Sequence, residues 1–214
     1  MKLVIGNKNY SSWSLRPWLL LRQAAIPFEE QIVSLYDPAT RGKLKEISPS
    51  GRVPALIDGE IRVWESLAIC EYVAERFPER GLWPSEPGAR AYARAVSHEM
   101  HAGFGALRSN LPMNVRKRYP APSEAQGVGT DIARIQEIWQ TCRERFGKGG
   151  PFLFGQFSVA DAMFAPVAFR FQTYSVPLTV AAQSYRDTML GLAPMREWAE
   201  SAKTESWVLP QFEK

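Results

Sequence analysis

The sequence predicts two unlike parts, a small α/β unit over residues 1–78 and an all-helical region over 89–214. Three observations carry that reading. Short strand-length runs rich in Val and Ile recur before Pro78 and are absent in that form after it. A proline-studded linker at 79–88, with Pro84 and Pro87, separates the two patterns. Beyond it, apolar residues return every three or four positions, the spacing of one helical face.

The first strand is Lys2 to Gly6, and a leucine-rich helix follows from Ser14 to Ala25 before Pro27. Phe28 to Ser34 alternates as a second strand, with Phe28, Ile32 and Val33 as its apolar members. Asp37 to Ile47 is polar and contains glycine, which predicts irregular chain with a weak helix. Val53 to Ile57 and Glu60 to Trp64 flank Asp58-Gly59, a two-residue hairpin signal. Glu65 to Phe77 is a helix stopped by Pro78. Parallel pairing of the first two strands requires the intervening helix as a right-handed crossover. In the second region Val96, Met100, Phe104, Leu107 and Leu111 mark one long helix, and Ile132, Ile135, Trp139, Cys142 and Phe146 mark another. Ser158 and Asp161 open an apolar run with the spacing of a capping box, so Asp161 is expected to serve folding rather than chemistry. Only the last few residues read as disordered.

Composition narrows the classes. Apolar residues make up 45% and charged residues 22% of 214, ordinary values for a globular protein. The Trp18–Leu21 run between Arg16 and Arg22 is too short to cross a bilayer, and no signal peptide pattern is present, so a cytoplasmic protein without a membrane partner is expected. The net charge is +4, but the densest basic cluster is Arg116-Lys117-Arg118 and no basic strip interleaved with aromatics accompanies it. That argues against a nucleic-acid partner. Cys70 and Cys142 form no CxxC and no zinc spacing, and read as small core residues. His98 and His101 share a helical face, but Glu99 points elsewhere and no third ligand is near in sequence, so no metal is expected.

Chemistry concentrates at four places. Ser11, Ser12 and Ser14 stand where the first strand gives way to the first helix, whose unpaired N–H groups favour an anion. A lone serine there is most often a cap, whereas three together suggest a ligand. Arg52-Val53-Pro54 opens a strand at a position that tolerates proline. Glu65-Ser66 starts a helix whose free N–H groups suit a carboxylate. The Asp58-Gly59 turn holds the last two strands in register.

Together these segments carry a resemblance. Ser-Pro-Ser-Gly-Arg-Val-Pro-Ala-Leu at 48–56, Glu65-Ser66-Leu-Ala-Ile and Ser158-Val-Ala-Asp161 resemble the cytosolic glutathione transferase family. Ser-Ser-Trp-Ser-Leu-Arg at 11–16 is similar to the Ser-Ser-Cys-Ser-Trp-Arg motif of its zeta class. The resemblance implies a thioredoxin-like first domain that binds glutathione and a helical second domain that completes the electrophile pocket. It implies a homodimer with glutathione as co-substrate. Ser11 aligns with the zeta-class catalytic serine, and Ser12, four residues before Arg16, has the theta-class spacing, so both stand as catalytic candidates. The implied glutathione site comprises Ser14, Arg52, Val53, Pro54, Glu65 and Ser66. Pro54 would be a cis-proline, Val53 would pair with the cysteinyl backbone, Glu65 would face the γ-glutamyl ammonium and Ser66 its carboxylate.

Tyr10, Trp13, Arg108, Met113 and Asn114 would border the electrophile, with Arg170 gripping an acidic one. Trp13 stands where the zeta class has cysteine, which counts against a maleylacetoacetate-type isomerase but leaves thiol transfer untouched. The third expectation is a non-catalytic adaptor on the same fold. A serine is physically sufficient for transfer. Lowering a thiol from about 8.5 to about 6.5 needs about 2.7 kcal/mol. A charge-assisted hydrogen bond supplies roughly 1.5–3 kcal/mol, and a helix N-terminus about 0.3–2 kcal/mol.

Overall fold

The computed structural model describes residues 1–34, 38–121 and 125–213. β1 (Lys2–Ile5) lies between β2 (Glu29–Ile32), its parallel neighbour, and β3 (Ala55–Asp58), which runs antiparallel. β4 (Ile61–Trp64) forms the far edge, antiparallel to β3. α1 (Ser12–Gln23) is the crossover between the parallel strands, and α3 (Ser66–Arg76) follows β4. Leu3 and Ile5 are buried on β1, as are Leu15 and Trp18 through Leu21 on α1, so the helix is enclosed on nearly every side, by the sheet and by the helices that pack on it.

The segment from Asp37 was expected to be mostly irregular. Asp37 lies outside the described residues, and the chain after it forms a continuous helix, α2 (Pro38–Ile47). The hairpin turn falls one residue later than expected. Asp58 pairs with Ile61, so Gly59 and Glu60 form the turn, and Gly59 takes φ +58°, a conformation glycine adopts without penalty. Asp58 stays in the strand, where its carboxylate accepts from the Tyr72 hydroxyl at 2.9 Å.

After a 3-10 turn at Pro78–Arg80, the helical region runs α4 (Pro87–Ala102), α5 (Gly105–Asn110), α6 (Val128–Phe146), α7 (Val159–Thr173), α8 (Val180–Gly191) and α9 (Ala193–Thr204). The single long helix expected from Val96 to Leu111 is two. Gly103 donates its N–H to Glu99 O at 2.8 Å, and a Cβ on Gly103 would stand 2.8 Å from that same oxygen. Phe104 then turns left-handed at φ 59°, yet Phe104, Leu107 and Leu111 remain buried, so the apolar stripe survives the break.

α7 is the spine of the molecule. Every residue of it except Gln172 is buried, the behaviour of a helix apolar on all sides. It packs against α1, α4 and α8, and one continuous apolar core extends from Leu3 to Ala202. The segment before α4 is docked too, for Leu82 is buried and its carbonyl accepts the Val159 N–H at 3.0 Å.

Asp161 anchors the start of α7. Its carboxylate accepts from the Ser158 N–H at 2.9 Å and the Ser158 hydroxyl at 3.0 Å. It also accepts from the Leu153 N–H at 3.0 Å and the Tyr185 hydroxyl at 2.9 Å, tying α8 and the preceding loop to the cap. Complete burial pushes the carboxyl up to about 6 against the pull of those four donors. Asp161→Ala therefore leaves several buried donors unmet and should cost about 3 kcal/mol or more, whereas Tyr185→Phe removes one donor and should cost about 1 kcal/mol. Urea unfolding midpoints at unchanged slope read both.

Candidate active site

The loop at 7–11 delivers the three serines to the start of α1. Asn7 O accepts the N–H groups of Tyr10 and Ser11 at 3.2 and 2.8 Å, folding the loop back on itself. Ser11 occupies the N-cap position, yet its side chain makes no capping hydrogen bond. Its hydroxyl donates instead to Ser14 Oγ at 2.8 Å, and Ser14 Oγ also accepts the Gly6 N–H at 3.1 Å. Ser14 is fully buried in this lattice between strand and helix. Ser12 differs: its oxygen accepts from Arg170 Nη2 at 3.2 Å, and no described group takes its proton.

Ser11 and Ser12 form one wall of a cavity of about 630 Å³. Tyr10, Trp13, Met113, Arg108 and Arg170 continue that wall, while Arg52 and Val53 face it from the loop before β3. A smaller recess of about 110 Å³ adjoins, bounded by Trp13, Arg52, Val53, Pro54 and Glu65. The Val53–Pro54 bond is cis. Glu65 holds φ 72°, an uncommon backbone conformation for a residue with a side chain, at the point where β4 passes into α3.

Three of the sequence-derived residues line neither space. Ser14 is spent on Gly6 and Ser11, as described. Ser66 is buried, and its oxygen accepts from Arg16 Nη1 at 3.4 Å. Asn114 is buried with its amide committed to Asn9, Phe212 and Glu213, so it braces the wall from behind. His98 and His101 do not converge: His98 Nδ1 contacts Arg94 O at 2.8 Å, while His101 Nε2 lies 3.7 Å from Glu65 and its ring packs edge-on against Trp13. No cluster of three metal-ligating side chains occurs among the described residues, and no helix of them is long and apolar enough to cross a membrane.

The site is strongly cationic. Arg16 and Arg170 are fully or almost fully buried, and Arg108 is half-buried. Arg16 lies 4.3 Å from the Trp13 ring centre and donates Nε to Met163 O; Arg108 stands over the same indole at 5.3 Å. Burial first, then Arg170 and Arg108, push Arg16 down to about 9; burial and Arg108 push Arg170 down to about 10. Both remain charged at neutral pH. None of the ion pairs among the described residues includes these three arginines. Arg170 donates Nε to Leu111 O at 2.9 Å, and its Nη1 is buried without a partner. Buried cations left without a carboxylate are expensive, and such groups mark anion-binding sites. Burial also raises both thiols, Cys142 to about 12, so neither is a nucleophile.

Sequence reasoning missed the C-terminal strap. The last residues were expected to be disordered, but those described up to Glu213 are fastened over the serine loop. Glu205 accepts the Lys8 N–H at 2.5 Å and the Asn9 N–H at 3.0 Å. Glu213 accepts the Tyr10 hydroxyl at 2.5 Å and Asn114 Nδ2 at 3.1 Å. Arg116 reaches Glu205 O at 2.7 Å and Trp207 O at 3.0 Å, and Phe212 joins the cavity wall beside Tyr10. The one local signal was the apolar pair Leu209 and Phe212, three apart. The Tyr10 hydroxyl is thus engaged and is not free to serve a thiol.

Burial pushes the Glu213 carboxyl up, but the bonds from Tyr10 and Asn114 and the charges of Lys117 and Arg116 hold it below the usual carboxylate range. Its stabilisation is therefore full above the unfolded value of about 4.3 and disappears as pH falls through the lower folded value. Glu213→Gln should lose about 1 kcal/mol at neutral pH. The gap from wild type should close in acid, as followed by denaturant melts across pH.

Comparison with known proteins places this geometry. The "Glutathione S-transferase, N-terminal domain" family profile matches residues 10–76, and the "Glutathione S-transferase, C-terminal domain" profile matches 91–201. A probable maleylacetoacetate isomerase of Caenorhabditis elegans is 38% identical over 99 residues, which span 46% of this chain and 45% of that relative. A stringent starvation protein A homolog of Haemophilus ducreyi is 24% identical over 76% of this chain and 72% of its own length. Among solved structures, a maleyl pyruvate isomerase described as a zeta-class bacterial transferase superposes with a TM-score of 0.73 at 21% identity, covering 97% of this chain and 100% of that one. At that identity the likeness speaks for the fold. With both halves matched, and the cis-proline loop facing the serine turn, the chain belongs to the glutathione S-transferase family.

Proposed function

We propose that this protein is a glutathione transferase that binds glutathione in the cleft between the serine loop and the Val53–Pro54 loop, stabilises its thiolate and conjugates it to a small electrophile. The observation that carries this reading is the Ser12 hydroxyl, which sits in the wall at the first position of α1 with its proton uncommitted among the described residues. Ser11 is the weaker donor because its proton goes to Ser14. Val53 supplies the backbone for the cysteinyl part, Glu65 in the adjoining recess faces the γ-glutamyl ammonium, and Arg52 faces carboxylate charge. The unit over 1–78 then serves glutathione, and that over 89–214, across the 79–88 linker, supplies most of the electrophile wall.

Mechanistically the serine is a donor and not a nucleophile. Glutathione's thiol proton leaves to solvent, Ser12 keeps its own proton and directs it at the sulfur, and the helix N-terminus adds positive potential. We read the molecule as a cytoplasmic homodimer, with Ile61 and Trp64, exposed on edge strand β4, as apolar surface available to a second copy.

The unpaired Arg108 and Arg170 favour an electrophile that carries a carboxylate. They also support a second reading, glutathione-dependent isomerisation of an unsaturated diketo acid, in keeping with the isomerase relative. Trp13 in place of cysteine weighs against it. An adaptor has no need of an uncommitted hydroxyl above a cationic cavity.

Retention on immobilised glutathione followed by turnover of chlorodinitrobenzene and maleylacetone separates the three. Conjugation supports the transferase, faster maleylacetone turnover the isomerase, and retention with no turnover of any electrophile the adaptor. Ser12→Ala should lower kcat/KM about 10- to 100-fold, the equivalent of one charge-assisted hydrogen bond, and Ser11→Ala by less than about 5-fold. Arg108→Leu should raise KM about tenfold for a carboxylate-bearing electrophile and leave the KM for chlorodinitrobenzene unchanged.

A further inference from the structure

Among the described residues, one side chain of the helical region hydrogen-bonds the Ser12 hydroxyl. Arg170 reaches it from the far end of α7, across 158 positions of sequence, with Nη2 3.2 Å from Ser12 Oγ. The guanidinium is held rigidly: Nε is fixed to Leu111 O at 2.9 Å, and the residue is 3% exposed. A cation donating into a hydroxyl's lone pair withdraws density from the oxygen and makes the remaining O–H a stronger donor, an effect magnified where water is excluded. The bond also fixes the rotor, since one side of the oxygen is occupied and the proton must point elsewhere.

We propose that Arg170 is a positioning residue for the thiol chemistry and acts through Ser12, polarising and aiming the hydroxyl that stabilises the glutathione thiolate. The inference rests on the reading of the cleft as a glutathione site and deepens it. When glutathione loses its proton, the S–H bond breaks, the electron pair stays on sulfur and the proton passes to solvent. Ser12 remains protonated throughout, and Arg170 neither gains nor loses a proton.

Other charged and polar groups face this point. Arg16 on α1 and Arg108 on α5 add positive potential, but their described hydrogen bonds run to Met163, Ser66, Met100 and His101, and none reaches Ser12. Tyr174, next to the end of α7, donates its hydroxyl to Pro112 O. Tyr10 is held by Glu213. Lys45 and Arg52 lie across the cavity, and no carboxylate lines it among the described residues. Glu65 belongs to the adjoining recess. Arg170 is therefore the described group through which the helical region touches the donor hydroxyl.

The test is a spectrophotometric titration of glutathione bound to the full chain, read from the ultraviolet absorbance of the thiolate, with no electrophile present. Arg170→Met should raise the midpoint by about one pH unit, a tenfold loss of thiolate below it. In a Ser12→Ala background the same substitution should produce no further change. Arg170→Lys, which keeps the charge without the fixed fork, should give a smaller rise, again only when Ser12 is present. It carries the test by itself if the methionine variant does not fold. An unchanged midpoint with glutathione still bound overturns the proposal, as does an equal rise with and without Ser12, which would mean a direct field effect. Failure of the unsubstituted protein to bind glutathione is a separate outcome that removes the functional reading itself.

Discussion

The arrangement depends on the burial of α7 against α1. A helix apolar on nearly every side has no stable place at a surface, so the chain wraps the sheet's crossover helix and the other helices around it. That packing fixes the relation between the two parts more firmly than the linker does. It also carries charge inward, because Arg170 travels with α7 to the N-terminus of α1, where Ser12 waits, and Met163 offers its carbonyl to Arg16. The apolar force that closes the fold thus assembles a polar site from residues at opposite ends of the chain.

The cationic character of the cavity follows from the same packing and has an energetic consequence. Two buried guanidiniums with a third half-buried beside them repel one another and have lost much of their hydration. Hydrogen bonds to carbonyls and the Trp13 ring recover part of that loss, and an anion in the cavity would recover more. A thiolate and a carboxylate both satisfy this demand. The site is in that sense prepared for negative charge before any ligand arrives, which is what electrostatic stabilisation of an anion requires.

Local features are legible in the sequence. The capping role of Asp161 is visible from a spacing of three, and the strand–helix–strand order from short apolar runs. The cis bond at Pro54 and the placement of Glu65 came from the resemblance and not from spacing. What escaped is non-local. Ser14 and Ser66 look like ligand groups beside helix starts, but Gly6 and Arg16, brought in by the fold, donate to their oxygens, and both residues are buried outside the cavity lining. The strap is the extreme case, since the carboxylate that holds Lys8 and Asn9 lies 196 or more residues away. Helix periodicity likewise missed the break at Gly103, because the apolar stripe continues across it while the backbone does not.

A crystal structure of the protein grown with glutathione tests the central claim most directly. The account places the glutathione sulfur within hydrogen-bond reach of Ser12 Oγ, about 3.0–3.5 Å, with the Arg170 contact to that oxygen kept. A sulfur seated nearer Ser11, or a tripeptide bound away from the Val53–Pro54 loop, would contradict it.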